Sequence, residues 1–238
     1  MIAVLAATYE EIGGFCAEVE PDEEGTFDDL AYVKGRLNDS QILVGVSGVG
    51  IRRARKAAGY VVQKFKPSII VSAGFSGALS PGLKVGDIVV GERVVSEKKG
   101  AGIDLYSPEC GVDMEFVTGA LLTENRFVHD PRDKKSLFER TGAMCVDMET
   151  WGVVEGARGS RTQVLCVRVI SDDSDDALPA IGAFYDSRGK PEYLKAVSYF
   201  FKRPGLLYPY ARYKLLNSKR AALSLRVFLL SLTAHLMV

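Results

Sequence analysis

Carboxylates follow two predicted strands at places where a ligand could meet them. In VDMET (146–150), Glu149 comes where a strand ends and a helix begins, and a carboxylate there can accept two hydrogen bonds from a vicinal diol such as that of ribose. The alternative is that Glu149 is an N-terminal helix acid that complements the helix dipole. In VLCVRVISDDSDDALP (164–179), seven strand-like residues precede four aspartates within five positions: Asp172, Asp173, Asp175 and Asp176. We expect most of these four to be solvated loop acids or helix caps.

Three further features accompany predicted strand ends. Arg168 lies in the middle of the strand before the aspartates, and a guanidinium on a core strand requires a carboxylate partner. Glu10 and Glu11 follow the first strand, where the same helix-dipole explanation applies. The glycines of SGVG (47–50) and SAGFSG (72–77) could let the backbone approach a ligand. Neither stretch is a GxGxxG fingerprint or a phosphate-binding P-loop, so each is by itself a tight strand-to-helix turn.

The composition excludes several classes of protein. Thirty basic residues balance thirty acidic ones among the 238, so no global charge favours nucleic acid as a partner. The two histidines, His129 and His235, argue against a His-rich metal site, and we expect neither a metal nor an organic cofactor. Cys145 and Cys166 lie in apolar runs, as reduced core thiols do. The N-terminus lacks the basic region of a signal peptide, so we expect a cytoplasmic protein.

Apolar runs alternate with helical patterns over the first 180 residues. The predicted strands are MIAVLAA, AYVKGRL, QILVGVSG, SIIVSAGFSGAL, DIVVGERVVSE, ALLTENRFV, AMCVD and VLCVRVIS, and the predicted helices are TYEEIGGFCAEV, GIRRARKAAGYVVQKF and METWGVVEGA. We expect EPDEEGTFDD to be an acidic loop, SAGFSG a turn and residues 96–116 a long loop. The alternation predicts an α/β fold with a mixed or parallel sheet covered on both faces. The carboxyl edge of that sheet, where ligands gather, should carry TYEE, SAGFSG, VDMET and ISDD.

Four of these motifs in this order resemble the nucleoside phosphorylase/nucleosidase superfamily. They are the Glu-Glu pair after the first strand, GFSG after a central strand, VDMET before a helix and RVISD after the last strand. The spacing is most similar to the 5′-methylthioadenosine/S-adenosylhomocysteine nucleosidase branch, and LKVGDIVV (83–90) and KPSIIVSAG (66–74) are in its style. The resemblance covers about residues 1–180. It implies a three-layer α/β/α sandwich around a twisted mixed sheet, a homodimer, and cleavage of the N-glycosidic bond of a purine nucleoside, with adenine the expected base.

The resemblance also implies roles for the catalytic groups. Asp172 would be the acid that protonates N7 of the departing purine, because an anionic adenine is a poor leaving group. Ser171 and Arg168 would support that acid, Arg168 as an orienting partner. Glu11 matches the carboxylate that activates the hydrolytic water.

The substrate-binding residues are carried over in the same way. Glu149 would hold the ribose hydroxyls, and Met148 would pack against the sugar. Phe127 and Val128, in ENRFVH, match positions that stack on the base and bind it through the backbone. Met148 and Glu149 directly follow a predicted strand, and Phe127 and Val128 are the last two residues of another.

Water or phosphate can be the nucleophile in such a superfamily. A phosphorylase needs cationic and hydroxyl ligands, but the early turn here reads ATYEEI, and Phe75 stands at the Ser/Thr position with Ser76 beside it. Glu11 therefore favours hydrolysis. The basic residues Arg52, Arg53 and Arg55 keep a phosphorylase open as the alternative, although a solvated helix face explains them as well. A third possibility is a non-catalytic nucleoside-binding, membrane-associated protein.

The C-terminal segment, residues 181–238, departs from the nucleosidase pattern. We expect a basic amphipathic helical extension of a single domain spanning 1–238. Residues 193–238 contain eight Lys or Arg and no Asp or Glu, with many Leu, Tyr and Phe. Such a segment can lie on an anionic membrane surface, or its helices can cover the sheet or form a dimer contact. Its last apolar run is too short to span a bilayer, which needs about 20 residues.

Short motifs in this segment resemble a second, narrower branch. SDDALP (174–179), FYDSRGKPEYL (184–194), RPGLL (203–207) and LNSKRAA (216–222) are similar to the tail of hopanoid-associated phosphorylase-like proteins. That branch is linked to removal of adenine from an adenosyl-triterpenoid. The resemblance implies a bulky or lipid-like 5′-substituent, with Phe75 and the tail aromatics as contacts for it.

Overall fold

The computed structural model describes residues 1–38, 40–98, 100–107, 112, 114–180 and 193–237. The strands are β1 (Ile2–Ala6), β2 (Glu20–Phe27), β3 (Leu30–Leu37), β4 (Ser40–Val46), β5 (Ile69–Ala78), β6 (Ile88–Ser96), β7 (Gly100–Asp104), β8 (Val117–Thr123), β9 (Cys145–Asp147) and β10 (Gln163–Asp172). The helices are α1 (Tyr9–Cys16), α2 (Ile51–Phe65), α3 (Pro131–Thr141), α4 (Thr150–Ala157), α5 (Tyr193–Lys202), α6 (Leu207–Arg212) and α7 (Ser218–Leu236). Most predicted elements are therefore present, within a few residues of their expected bounds.

The described strands form one mixed sheet that partly closes on itself. Its order is β10-β6-β8-β9-β5-β1-β4-β3-β2, and β10 also pairs with β5. Strands β1, β4, β5 and β10 are mutually parallel, so their carboxyl ends lie at one edge. The first turn of α1, the SGVG stretch and the last residues of β10 all meet at this edge, as ligand sites in α/β sheets do.

Helices cover both faces of the sheet, which confirms the predicted three-layer α/β/α sandwich. In β1, Ile2, Val4 and Ala6 pack with α1 and α7, whereas Ala3 and Leu5 pack with α2 and α4. Successive side chains of a strand point to opposite faces, and here both faces are apolar. Continuous apolar runs such as MIAVLAA follow from burial on both sides.

Two predicted loops contain strands. EPDEEGTFDD supplies β2, which pairs antiparallel with β3, and the stretch 96–116 contains β7, which pairs with β6. Five acidic or polar side chains of β2 are exposed, so the strand is held by backbone hydrogen bonds to its neighbour rather than by an apolar face. Residues 108–111 and 113, also in the predicted loop, lie outside the described part of the chain.

Two predicted strand ends are also corrected. SAGFSG is not a turn: β5 continues to Ala78, and Phe75 and Ser76 pair with Val169 and Ile170. ALLTENRFV is a strand only as far as Thr123, and the residues after it form an irregular connection to α3. The glycines of SAGFSG thus lie within a paired strand, where their missing side chains leave space for neighbouring carboxylates.

The C-terminal segment is helical in its described part. A 3₁₀ turn (Pro204–Leu206) leads into α6, and a π-helical turn (Tyr213–Asn217) connects α6 to α7. Helix α7 covers the sheet with the buried side chains of Ala221, Leu225, Phe228, Leu229 and Leu232. One predicted alternative for the tail, that its helices cover the sheet, therefore holds for α7. FYDSRGKPEYL falls largely outside the described residues.

Two ion pairs connect the tail to α1 and to the residues that directly follow it. Lys214 Nζ lies 2.6 Å from Glu10 Oε2, and Arg226 pairs with Glu18. Among the described helices, none is long and apolar enough to cross a membrane. That residues 1–238 form a single domain remains a prediction.

Candidate active site

Asp172 is the last residue of β10 and is almost completely buried. Ser171 Oγ donates to its Oδ1 at 2.7 Å, and Lys134 Nζ donates to its Oδ2 at 2.5 Å. Burial raises the pKa of Asp172 above its ordinary value, while Lys134 and Ser171 act in the opposite direction. A carboxyl group of this kind can carry a proton nearer neutral pH than a solvated aspartate does.

Glu11 projects from the first turn of α1 against β5. Its Oε2 accepts from the backbone N–H of Thr8 at 2.7 Å, and its Oε1 accepts from the backbone N–H of Phe75 at 2.8 Å. Burial raises the pKa of Glu11, and these hydrogen bonds together with the charge of Arg168 oppose the rise. The result is a fixed, buried carboxylate that is more basic than a solvated glutamate.

Two glycines of β5 make room for these carboxylates. A Cβ at Gly74 would come within 2.8 Å of Glu11 Oε1, and one at Gly77 within 3.0 Å of Asp172 Oδ2. Gly77 lies three positions after Gly74, and three steps of about 3.3 Å along an extended strand place the two glycines roughly 10 Å apart. Glu11 and Asp172 therefore approach the same strand at separate points along it, and SAGFSG provides the space that each of them occupies.

Glu149 stands at the start of α4 and faces the SGVG stretch. Its Oε1 accepts from the backbone N–H of Gly50 at 2.8 Å, and its Oε2 from that of Met148 at 3.2 Å. Burial, with the nearby charges of Asp147 and Glu11, raises the pKa of Glu149 to about 8. Gly50 has φ of +105°, a conformation that glycine adopts without strain and that brings its N–H to the carboxylate.

Arg168 has the carboxylate partner that its position requires, but the partner is not Asp172. Its Nε donates to Asp147 Oδ2 at 2.7 Å, and its other nitrogens donate to Ser72 and Thr150. Four residues of a strand span about 13 Å, so Arg168 is too far along β10 to orient Asp172. Arg168 instead secures Asp147, and Asp147 accepts from the backbone N–H of Thr150 at the start of α4.

The remaining predicted residues lie around this edge in different settings. Phe75 contributes its backbone N–H to Glu11, and its half-buried ring packs on the core under α1 and α7. Ser76 is buried on the other face, with its Oγ 3.4 Å from the carbonyl oxygen of Val169. Because alternate residues of a strand share a face, Ser76 lies on the same side of β5 as Gly74, the position that faces Glu11.

Phe127 and Val128 follow β8 in the connection to α3. Phe127 is half-buried and stacks on His129 with ring centroids 6.4 Å apart, whereas Val128 is buried against Leu79 and Leu137. Met148 is half-buried beside Glu149. These positions are compatible with base and sugar contacts, and the roles themselves remain predictions.

Three residues of the site have no counterpart in the sequence-based prediction. Lys134 occupies the buried face of α3, Asp147 pairs with Arg168, and Tyr213 of the π-helical turn is buried near Asp172 and Glu11. Burial raises the pKa of the Tyr213 hydroxyl, with its hydrogen bond to Ser171 opposing the rise. Asp147 could have been found from VDMET, in which it directly precedes the helix. Lys134 and Tyr213 reach the site only through tertiary packing.

No metal-binding group of three His, Cys, Asp or Glu side chains is present within the described ranges. The site is instead a row of carboxylates, each held by a specific donor. Such a row can move protons and accept hydrogen bonds from hydroxyl groups.

Comparison with known proteins identifies relatives along most of the chain. The family model of the Phosphorylase superfamily matches residues 1–114 and 105–188. A 5′-methylthioadenosine/S-adenosylhomocysteine nucleosidase of Geobacillus sp. (strain WCH70) is 22% identical over 198 residues, covering 72% of this chain and 84% of the relative. The corresponding protein of Geobacillus kaustophilus (strain HTA426) is 24% identical over 195 residues, covering 71% of this chain and 83% of the relative.

Solved structures share the fold over nearly the whole length. A Helicobacter pylori 5′-methylthioadenosine/S-adenosylhomocysteine nucleosidase superimposes with a TM-score of 0.73 at 19% identity, covering 98% of this chain and 97% of that one. Futalosine hydrolase of the same organism gives 0.74 at 18% identity with the same coverage, 98% and 97%. The match of the family model to nearly four fifths of the sequence, with this fold and the order of its motifs, shows that the chain belongs to the phosphorylase superfamily.

Proposed function

We propose that this protein hydrolyses the N-glycosidic bond of a purine nucleoside, with adenine as the base. The observation that carries the proposal is the pair of buried carboxyl groups, Asp172 and Glu11, which have raised pKa values and approach one strand at separate points. Asp172 can serve as the general acid that protonates the departing purine, and Glu11 as the general base that takes a proton from a water molecule. The names of the relatives, nucleosidases and a futalosine hydrolase, support the same reaction class.

The chemistry follows from these positions. Asp172 gives its proton to N7 as the C1′–N9 bond stretches, so the purine leaves as a neutral molecule and the sugar develops oxocarbenium character. Glu149 accepts hydrogen bonds from the ribose hydroxyls, and Glu11 takes a proton from the attacking water. General acid catalysis of this kind contributes typically about 10²–10⁴-fold to the rate.

Charge favours water over phosphate as the nucleophile. Glu11, Glu149 and Asp147 are neighbouring acids, and the cation among them, Arg168, is paired with Asp147. Of the basic residues on α2, Arg53 pairs with Asp29 and Arg55 lies 3.9 Å from Glu155. These three cations already have acidic partners, and a phosphate dianion beside Glu11 would meet repulsion, so a phosphorylase is the less favoured alternative.

A bulky, apolar 5′-substituent is part of the proposal. Phe75 of β5 contacts Glu11 of α1 through its backbone N–H, and Tyr213 brings the tail to the same edge of the sheet. Aromatic groups at this edge would favour an apolar extension over the charged amino-acid chain of S-adenosylhomocysteine. The tail would bring the protein to a membrane in which such a lipid-like substrate resides, and a homodimer remains expected.

The test is purine release from a panel of 5′-substituted adenosines, with and without phosphate, with identification of the sugar product. Free sugar formed without phosphate supports hydrolysis, whereas a phosphate-dependent sugar 1-phosphate would establish the phosphorylase. Asp172→Asn should lower the turnover about 10²–10⁴-fold. Asp175→Asn is the matched control, because Asp175 belongs to the same acidic run but is exposed. Nucleoside binding without turnover, unchanged in Asp172→Asn, would indicate a binding protein instead.

A further inference from the structure

Helix α3 buries one of two adjacent lysines. The side chain of Lys134 is 0% exposed and that of its partner Asp172 1%, whereas the side chain of Lys135 is 78% exposed. Lys134 Nζ donates to Asp172 Oδ2 at 2.5 Å and to the backbone carbonyl oxygen of Asp173 at 2.6 Å. The ammonium group therefore contacts the carboxylate to which the acid role has been assigned.

Stability alone gives a poor account of this ion pair. Transfer of a charged group out of water costs several kcal/mol, and a buried pair is often no more stable than apolar side chains of similar volume. Lys134 shares the inner face of α3 with the buried Leu137, where an apolar residue could pack as well. An effect of the ammonium charge on the chemistry of Asp172 explains a lysine at this position better than stability does.

We propose that Lys134 is the positioning residue of Asp172, fixing its Oδ2 and stabilising the carboxylate that forms as the proton passes to the purine. The inference rests on the acid role proposed for Asp172. In that step the O–H bond of Asp172 breaks, an N7–H bond forms, and the electron pair of the breaking C1′–N9 bond goes to the purine. Asp172 is left as an anion, which an ammonium group stabilises more than it stabilises the neutral acid. The interaction therefore strengthens toward the transition state.

The two oxygens of Asp172 have different partners, which assigns the proton to one of them. An ammonium group can only donate, so Oδ2 is held as an acceptor. The Ser171 hydroxyl at Oδ1 can donate or accept, and so it tolerates a proton on that oxygen. Oδ1 is thus the oxygen from which the proton leaves.

The pH dependence of catalysis gives a readout that a purely structural role would not change. The groups that act on Asp172 are Lys134 from α3, Ser171 beside it, Asp176 from the following loop, and Tyr213 from the tail. Burial raises the pKa of Asp172, and Lys134 is the first of the groups that lower it. A general acid is active while protonated, so activity is lost as the pH rises through its pKa. Removal of the ammonium charge must therefore move that basic limb to higher pH.

The experiment compares pH profiles of kcat/KM for purine release by three variants. Lys134→Met should lower kcat/KM about 10- to 100-fold and shift the basic limb upward by about one pH unit or more. Lys134→Arg keeps the charge and should keep the limb near its original position. Lys135→Met changes the exposed neighbour and should leave both the rate and the profile unchanged.

The outcomes separate this inference from the proposed function. Thermal unfolding confirms that each variant folds, and Lys134→Gln replaces Lys134→Met if the latter does not. If Lys134→Met or Lys134→Gln folds and its basic limb does not move, the role of Lys134 is overturned, while the proposed nucleosidase activity still stands. Absence of purine release from the unaltered protein would overturn both.

Discussion

At the scale of single residues, the carboxylates of the site differ in the donors that hold them. Asp172 is held by an ammonium group and a hydroxyl, Glu11 and Glu149 by backbone N–H groups, and Asp147 by a guanidinium. A full charge stabilises an anion more strongly than a backbone dipole does. Asp147 is thereby suited to a structural role, while Glu11 and Glu149 keep raised pKa values that suit proton transfer and hydroxyl binding.

Glu149 should make stability depend on pH. Its pKa is raised from 4.5 to about 8, so the folded protein holds this proton more tightly than the unfolded chain does. Between these values the unfolded state loses the proton first, and the stability contributed by Glu149 falls as the pH rises. We expect Glu149→Gln to match the original protein near pH 5 and to be more stable near pH 8.

Chemical unfolding at a series of pH values measures this effect. Glu139→Gln, which changes an exposed glutamate of α3, is the control and should follow the original protein at every pH. Parallel curves for Glu149→Gln and the original protein would show that Glu149 is ionised in the folded state throughout this range.

The sequence allowed the acids of the site to be predicted better than their partners. Asp172, Glu11 and Glu149 follow strands, and the carboxyl edge of a parallel sheet gathers such residues whatever their separation in the chain. Lys134 lies in PRDKKSLFER, which is typical of a solvated helix. Only the contact of α3 with β10 distinguishes it from Lys135, and that contact has no local pattern in the sequence.

At the scale of elements, β5 lies against both Glu11 and Asp172, the two residues proposed to be catalytic. The strand continues through SAGFSG, pairs with β10 there, and uses Gly74 and Gly77 to admit Glu11 and Asp172. A glycine-rich stretch after an apolar run usually indicates a turn. Here the glycines lie in a paired strand and leave space for the side chains of Glu11 and Asp172. The stretch SAGFSG is compatible with a turn and with a strand, and only tertiary packing decides between the two.

Gly74→Ala should therefore impair catalysis more than folding. The added Cβ would lie 2.8 Å from Glu11 Oε1 and displace the carboxylate from the N–H of Phe75. Misplacement by about 1 Å can lower a catalysed rate about 100-fold, and we expect a loss of turnover of that order with a small change in thermal stability. Gly82→Ala, where nothing lies within 4 Å, is the matched control. Full turnover in Gly74→Ala would exclude Glu11 as the group that activates water.

The two strands that were expected to be loops were missed for the same reason. β2 and β7 lie at edges of the sheet, and their pairing partners supply the hydrogen bonds that hold them. An edge strand needs no apolar face, so its pattern can be as polar as that of EPDEEGTF. The strands buried on both faces, by contrast, were predicted correctly because burial leaves a continuous apolar run.

At the scale of the whole molecule, the basic tail meets an acidic body. The chain is neutral and residues 193–238 carry eight basic and no acidic residues, so residues 1–192 carry a net charge of about −8. Lys214 pairs with Glu10 of α1 and Arg226 with Glu18 just after that helix, and α7 completes a layer of the sandwich. The outer side of the tail retains both charge and apolar surface.

That outer surface should bind anionic membranes. Seven large apolar side chains of the tail are at least 45% exposed: Phe201, Leu207, Tyr208, Leu215, Leu216, Leu223 and Val227. The exposed basic residues Arg212, Lys219 and Arg220 fall between them along the sequence. A symmetric dimer through this surface would place like charges opposite each other, whereas an anionic bilayer complements them. We therefore expect co-sedimentation with vesicles of phosphatidylcholine and phosphatidylglycerol, and little with phosphatidylcholine alone.

Variants and salt distinguish a membrane from a second copy of the chain. Leu215→Ser with Leu216→Ser should reduce vesicle binding, since each removes an exposed apolar group that would enter the interface. Val117→Ser, an exposed valine at the start of β8, is the control and should bind as the original protein does. Added salt should weaken binding because the attraction to anionic lipid is screened beyond about 10 Å at 0.1 M. If vesicles do not bind while the Leu215 and Leu216 substitutions abolish a dimer in solution, the surface is an interface between copies, and the lipid-like substrate loses the support that the tail provides.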